Sequence, residues 1–176
     1  MRKHILIIGG IVVGFVLLLF LGLLIAFSVM SNSVRDDFFN EAVPIVHEMI
    51  LPAFNMQTIA GGYLWGYEID LIGVTVIAQN IQESDSIDDI FIYYMYLHEA
   101  IGIIYERMGD EEVAPHNREF FDTYHRIFIG QARLLTQAGY NERAAEFNGR
   151  LASGLGFLVR PFFNPLPRFD DWPLDN

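Results

Sequence analysis

Residues 5–30 read ILIIGGIVVGFVLLLFLGLLIAFSVM, and this uncharged run decides how the rest of the chain is organised. A helix needs roughly 20 apolar residues to cross the hydrocarbon core of a bilayer, so a run of about 26 residues is long enough. The apolar core of a secretory signal peptide is shorter, about 7–15 residues, and a small-residue cleavage site follows it. Because Ala26-Phe27-Ser28 is only a weak match to such a site, the sequence predicts a retained transmembrane helix within residues 1–30.

The charges that flank this run predict its orientation. Arg2 and Lys3 precede it, whereas the residues just after it carry a single basic side chain, Arg35, against several acidic ones. Under the positive-inside rule the N-terminus is then cytoplasmic and the rest of the chain extracytoplasmic, which in a bacterium means a periplasmic domain on the inner membrane. The chain contains no cysteine, so neither a disulfide framework nor a lipid anchor on cysteine is expected.

The chain beyond the span is strongly acidic. The formal net charge is -11, and setting aside the two positive charges of Arg2 and Lys3 leaves about -13 on the far side. Nucleic acid is excluded as a partner, because binding to phosphates needs a basic footprint. Solubility explains this charge, and so does attraction to a basic face of a partner protein.

The pattern after the span predicts an all-α fold, with a small helical bundle over residues 31–160. Ser31-Asn32-Ser33 is expected to cap a new helix. Pro44 and Pro52 are expected to break the following region into short pieces. Residues 58–82 favour a helix, although a strand pair is the alternative because they contain a turn-like Gly-Gly pair.

Three further helices have clearer boundaries, set by capping residues, glycine and proline. They are residues 86–108 ended by Gly109, residues 115–138 ended by Gly139, and a helix that is capped by Asn141, runs to Val159 and ends before Pro161.

The last segment, residues 161–176, reads PFFNPLPRFDDWPLDN and contains four prolines, which forbid regular structure. We expect an extended arm outside the core of the domain that binds a partner through its aromatic side chains, since aromatic residues dominate interfaces. These side chains are Phe162, Phe163, Phe169 and Trp172.

The stretch EFFDTYHRIF, residues 119–128, is the strongest candidate for chemistry. On a helix Glu119 and His125 lie too far apart to share an ion easily, which leaves Asp122 and His125 as an i, i+3 pair. Helical two-metal sites need a second acid-x-x-His, and the sequence has none. The His-Glu pairs at 47–48 and 98–99 lack the second histidine of a zinc protease helix, so no catalytic residue and no metal ligand is predicted.

The same helix has an ordinary interpretation. Arg118, Asp122 and Arg126 are spaced at i, i+4 and i+8, which predicts a ladder of ion pairs on the exposed face. The buried stripe is expected to contain Phe120, Phe121, Tyr124, Ile127, Phe128, Leu134 and Leu135.

Two other features favour contacts with partners. Residues 90–105, IFIYYMYLHEAIGIIY, are apolar on both sides of the predicted helix, so Tyr93 and Tyr96 on the second side are expected to bind a partner or the membrane surface. Gly10 and Gly14 form a small-xxx-small pair, which allows another membrane helix to approach closely.

Together these features predict a non-catalytic, single-pass accessory subunit of a larger membrane complex, without a cofactor. Its partners would be integral membrane protein subunits and the lipid bilayer, and a photosynthetic or respiratory assembly is the expected host. Two alternatives stay open, a membrane-anchored helical sensor or ligand-binding domain and a metal-dependent helical-bundle enzyme. The pocket of a sensor would be lined by Trp65, Tyr94, His98 and Tyr105, with His98 either a buried structural histidine or a contact to a pigment or haem.

Overall fold

A nearly continuous helical rod joins the apolar segment to the domain. The computed structural model describes residues 2–66 and 68–171. Helix α1 spans Arg2–Asp37, a π-helical turn spans Phe38–Ala42, and helix α2 spans Val43–Ala60. The direction of the apolar segment is therefore passed on to the domain through helical backbone rather than through a loop.

Within the described residues, one helix is long and apolar enough to cross a membrane by length and composition. It is the stretch Gly9–Ala60, with a mean hydropathy of 3.0 in its most apolar window, and an N-terminal signal sequence passes the same test. The predicted helix start at Ser31 is wrong, because α1 passes through this residue without interruption. Ser31 is buried against the domain, so packing, and not capping, determines its position.

The two prolines of this region do not break the rod into short pieces, and that prediction is also wrong. Pro44 lies in the first turn of α2, where a missing N–H costs least. The π-helical turn comes just before it, and this wider turn accommodates the clash between the proline ring and the preceding carbonyl groups. Pro52 lies inside α2 with its side chain buried, so the packed face of the helix offsets the lost hydrogen bond.

Five further helices complete the described part of the chain, which contains no strand. The all-α prediction is confirmed, and the strand pair is replaced by a turn followed by α3. Helix α4 begins after Ser86, whose hydroxyl accepts the N–H of Asp89 at 3.4 Å, as the capping pattern predicted. The helix bounds are α3 Glu68–Glu83, α4 Ile87–Gly109, α5 Pro115–Gln137, α6 Gly139–Ala152 and α7 Gly156–Val159.

The last predicted helix is divided in two. Gly154 has a φ of 55°, a left-handed conformation that favours glycine, and it lies between α6 and α7. The chain turns so tightly here that a Cβ at Gly156 would collide with the carbonyl oxygen of Arg150. Asn141 does not cap a helix as predicted, because it lies inside the first turn of α6 with its side chain buried.

The part of the tail around Leu166 and Phe169 is packed in the core, contrary to the prediction of a separate arm. The side chain of Phe169 is 0% exposed, and Leu166 is also buried. The ring of Phe169 lies 5.0 Å from that of Tyr94 and stacks on Phe38 at 5.9 Å between centroids. One aromatic cluster therefore joins the tail, α4 and the π-helical turn.

Two asparagines of α6 hold the tail in place by hydrogen bonds to its backbone. The side chain of Asn148 donates to the carbonyl of Leu166 and accepts its N–H, both at 2.8 Å. The Asn141 side chain accepts the N–H of Phe169 at 2.9 Å. Prolines prevent the tail from joining a helix or sheet, and these amide side chains satisfy its backbone instead.

Candidate docking surfaces

The side chains of residues 119–128 take part in packing. Among residues 2–66 and 68–171, no group of three or more His, Asp and Glu side chains is placed to hold a metal ion. His125 stacks on Tyr105 of α4, with ring centroids 3.7 Å apart and planes 13° apart. The contact fixes α5 against α4 at this level.

The predicted ion-pair ladder on α5 is wrong. The guanidinium of Arg118 donates to the carbonyl oxygen of Met108 in the last turn of α4 and to that of Glu111 just after the helix. Arg126 donates to the hydroxyl of Thr123 at 3.1 Å. Carbonyl groups at the end of a helix lack intrahelical donors, so they attract the nearest arginine more effectively than a neighbour on an exposed face.

Two histidines, His98 and His125, lie where α4 meets α5, in surroundings that disfavour their charged forms. Burial lowers the pKa of His98 below its ordinary value of 6.5. Burial also lowers the pKa of His125; the nearby Asp122 carboxylate raises it and His98 lowers it further. The imidazole of His98 lies between the rings of Tyr94 and Phe128, at 6.2 and 5.8 Å, so both histidines are neutral packing groups at neutral pH.

The pocket expected for a sensor is not assembled. Trp65 is 81% exposed, whereas Tyr94 is fully buried in the aromatic cluster around Phe169. The structure therefore does not bring Trp65 and Tyr94 together around one cavity with His98, and the sensor alternative stays a prediction.

The residues predicted to bind partners fall into three groups. Gly10 and Gly14 lie on an open helix surface, where an added Cβ would meet nothing within 4 Å. Tyr96 is exposed, whereas Tyr93 is half-buried against the core. In the tail, Phe162 is exposed, Phe163 lies against Phe27 and Phe147, Phe169 is buried, and Trp172 lies outside the described residues.

The predicted buried stripe of α5 is wrong in part, because three of its members form a separate, exposed apolar stripe. Phe120, Ile127 and Leu134 recur every seven residues and are 44, 45 and 49% exposed. Their chain neighbours Phe121 and Phe128 are fully buried. The signal was present in the sequence as pairs of adjacent apolar residues repeated at a seven-residue interval, because such pairs cover two faces of a helix.

A shallow groove of about 300 Å³ connects this stripe to α2. Leu51, which is 68% exposed, lines the groove together with Ile127. Its polar edge is formed by Gln131, whose amide donates to Glu48 at 3.0 Å. We call Phe120, Ile127 and Leu134 of α5, together with the adjoining Leu51 of α2, the α5 stripe.

A second groove, of about 450 Å³, lies between the end of the apolar run and α6. Its charged side chains are already paired, since Arg143 bridges Asp37 at 2.9 Å and Glu41, and Arg150 pairs with Glu146. Glu41 also accepts the N–H of Tyr140 at 3.0 Å, in the first turn of α6, where the helix dipole favours an anion. This network fixes the angle between the rod and the domain, so it is a structural joint.

No family model, no curated protein and no solved structure matches the chain. The docking surfaces described above therefore carry the functional proposal. Within the described residues, these surfaces combine exposed apolar side chains with charged side chains that are paired with each other.

Proposed function

We propose that the protein is a non-catalytic, single-pass accessory subunit of a larger membrane complex. The apolar part of α1 crosses the membrane, with Arg2 and Lys3 on the cytoplasmic side and the helical domain outside. The α5 stripe is the observation that carries the proposal, because an exposed row of large apolar side chains marks an interaction site. Nothing in the geometry selects a photosynthetic or a respiratory host.

The spacing of the stripe fits a helical partner. Residues at i, i+7 and i+14 of α5 extend over roughly 21 Å along one face of the helix. Seven-residue spacing is the repeat with which two helices pack side by side. The partner segment would carry an apolar seam for Ile127 and Leu134, and basic residues beside it would match the net charge of about -13 outside the span.

The position of the stripe supports a partner within the membrane complex. Helix α2 continues the rod, and α5 packs along α2. The joint between Arg143, Asp37 and Glu41 holds the domain at a fixed angle to the rod. A binding face on α5 is therefore presented at a set height and direction above the bilayer, which suits a subunit that docks beside other subunits.

The test compares two double variants in the source membranes. Ile127→Asn/Leu134→Asn removes the apolar character of the stripe, and Ile72→Asn/Val76→Asn makes the same change at two exposed aliphatic residues of α3. After extraction in a mild detergent, native electrophoresis and mass spectrometry give the size and composition of the assembly. We expect the α5 variant to be released as a free chain, whereas the α3 variant stays in the assembly.

A photo-reactive residue at Ile127 provides the direct contact. A cross-link to one membrane subunit, absent when the photo-reactive residue stands at Ile72, supports docking through the stripe. Retention of the α5 variant in an unchanged assembly, or migration of the native chain as a free monomer, would overturn the proposal.

A further inference from the structure

The surface of the domain formed by residues 155–162 exposes large apolar side chains. Leu155, Phe157, Leu158 and Phe162 are 67, 66, 51 and 63% exposed, and we call them the basal patch. Leu155 lies in the turn before α7, Phe157 and Leu158 lie in α7, and Phe162 lies in the 3-10 turn Arg160–Phe162 that follows it. Exposed apolar patches of this kind mark a surface that is covered by something other than water.

The basal patch is continuous with the apolar face of α1. The ring of Phe162 lies 6.2 Å from that of Phe20, and the neighbouring Phe163 lies 6.0 Å from Phe27. Three further apolar residues of α1 pack against the core of the domain, namely Leu23, Leu24 and Met30. The domain therefore covers one side of the apolar run instead of beginning beyond its end.

The rise of the helix sets the depth of this contact. If the hydrocarbon core, about 30 Å thick, begins at Ile5, it ends near residue 25 and Phe20 lies roughly 7 Å inside it. If the core instead ends at Met30, Phe20 lies about 15 Å inside it. In both placements Phe162, which contacts Phe20, lies below the surface of the hydrocarbon.

We propose that the basal patch is embedded in the extracytoplasmic leaflet of the bilayer, as a second contact with lipid beside the span. The proposal rests on the membrane-spanning role of α1 given under the proposed function. Lipid is favoured over a protein partner as the occupant, because the patch adjoins residues that lie inside the apolar run. Segments that lie in the interface bury their apolar side chains about 5–10 Å deep, which agrees with the shallower of the two placements.

A charged residue beside the basal patch also fits a lipid surface. Arg160 lies between Phe157 and Phe162 in the chain and is exposed, and within the described residues no carboxylate forms an ion pair with it. A long arginine side chain can keep its stem in the apolar layer while its guanidinium reaches the phosphates of the headgroups. On an acidic domain, an arginine at this position favours attachment to anionic lipid.

The experiment uses the full chain, which has no native cysteine, so that a single introduced cysteine can carry a nitroxide spin label. The protein is reconstituted into vesicles of phosphatidylcholine with phosphatidylglycerol. Labels are placed at the patch by Phe157→Cys and Leu158→Cys, in the span by Leu17→Cys, and on the domain by Leu51→Cys. All four positions are more than half exposed, so the labels do not disturb the core.

Collision of each label with oxygen, which concentrates in lipid, is compared with collision with a water-soluble nickel chelate. We expect loss of the nickel collisions at the two patch labels and at Leu17, and strong nickel collisions at Leu51. Nickel access at the patch with lipid access at Leu17 would overturn the inference and leave the anchor intact. Nickel access at Leu17 would contradict the proposed span itself. A patch label that neither reagent reaches would show burial against protein, and this result would also overturn the inference.

Discussion

Two adjacent segments end the described chain, and each contains both phenylalanine and proline. In the first, residues 155–163, which contain the basal patch, Phe157 and Phe162 expose about two thirds of their surface. In the second, residues 164–171, Phe169 is 0% exposed and stacks on Phe38. We call the second segment the clamped tail.

The difference comes from polar groups and not from apolar content. Asn141 and Asn148 are seven residues apart on α6, a rise of roughly 10 Å. Their partners Phe169 and Leu166 are three residues apart in extended chain, which also spans about 10 Å. The tail therefore runs antiparallel to α6 in register with two amide side chains, whereas within the described residues no equivalent side chain holds the basal patch.

The largest expected effect is the loss of the buried ring of the clamped tail. Phe169→Ala should lower the free energy of unfolding by about 3–5 kcal/mol, because a cavity is left among packed aromatic rings. Phe162→Ala removes the same atoms from an exposed position and should change it by less than about 1 kcal/mol. Thermal unfolding in detergent, followed by circular dichroism, measures both; similar losses for the two variants would show that the segments do not differ in burial.

A smaller loss is expected when the clamp itself is removed. Asn141→Ala leaves the N–H of Phe169 without its partner and removes one of the two donors to the carbonyl of Leu135, which keeps the N–H of Ala138. An unpaired buried group costs about 1–3 kcal/mol, so the variant should be destabilised by that amount. Hydrogen exchange should accelerate most at Phe169, with Asn148→Ala as the control that accelerates Leu166 instead; unchanged exchange at both residues would disprove the clamp.

The parts of the fold that were predictable are those whose signals are local. Ser86, Gly109 and Pro115 fix helix ends through their own backbone and side chains, and the structure has those ends to within a residue. Pro52 and Ser31 misled because tertiary packing maintains a helix that local signals would interrupt.

The tail and the docking surface needed contacts that sequence alone does not show. The burial of Phe169 depends on Asn141 and Asn148, which lie 28 and 21 positions away along the chain, and no local pattern joins them. On α5, the adjacent pairs such as Ile127 and Phe128 predicted an apolar helix correctly. Which member of each pair faces outward depends on where α2 packs.

Acid should lower the stability of the domain at the side of the clamped tail. Burial lowers the pKa values of His98 and His125, so below about pH 6.5 the unfolded chain binds more protons than the folded one. Stability is therefore complete above that pH and is lost as the pH falls, and the loss acts near Tyr94, which contacts Phe169. We expect the melting temperature to fall from about pH 7.5 to about pH 5.5, and His98→Gln/His125→Gln to flatten this fall. An identical profile for the double variant would assign the acid sensitivity to carboxylates.

The smallest expected effect is also the sharpest check on the comparison, since it concerns polar replacement at the basal patch. Phe157→Ser/Leu158→Ser introduces two hydroxyl groups, and inside a packed core such a change would cost several kcal/mol because of the lost apolar burial and the cavities left behind. At side chains that are 66 and 51% exposed, the unfolding free energy in detergent should shift by no more than about 1 kcal/mol. Thermal unfolding in detergent measures this shift, and Phe169→Ser in the clamped tail is the matched control. If the patch variant unfolds as readily as the Phe169 variant, the two segments are held in the same way and the contrast between them fails. If it keeps its stability, Phe157 and Leu158 contribute little to the fold, and their exposure at the surface is explained by what they contact outside the domain.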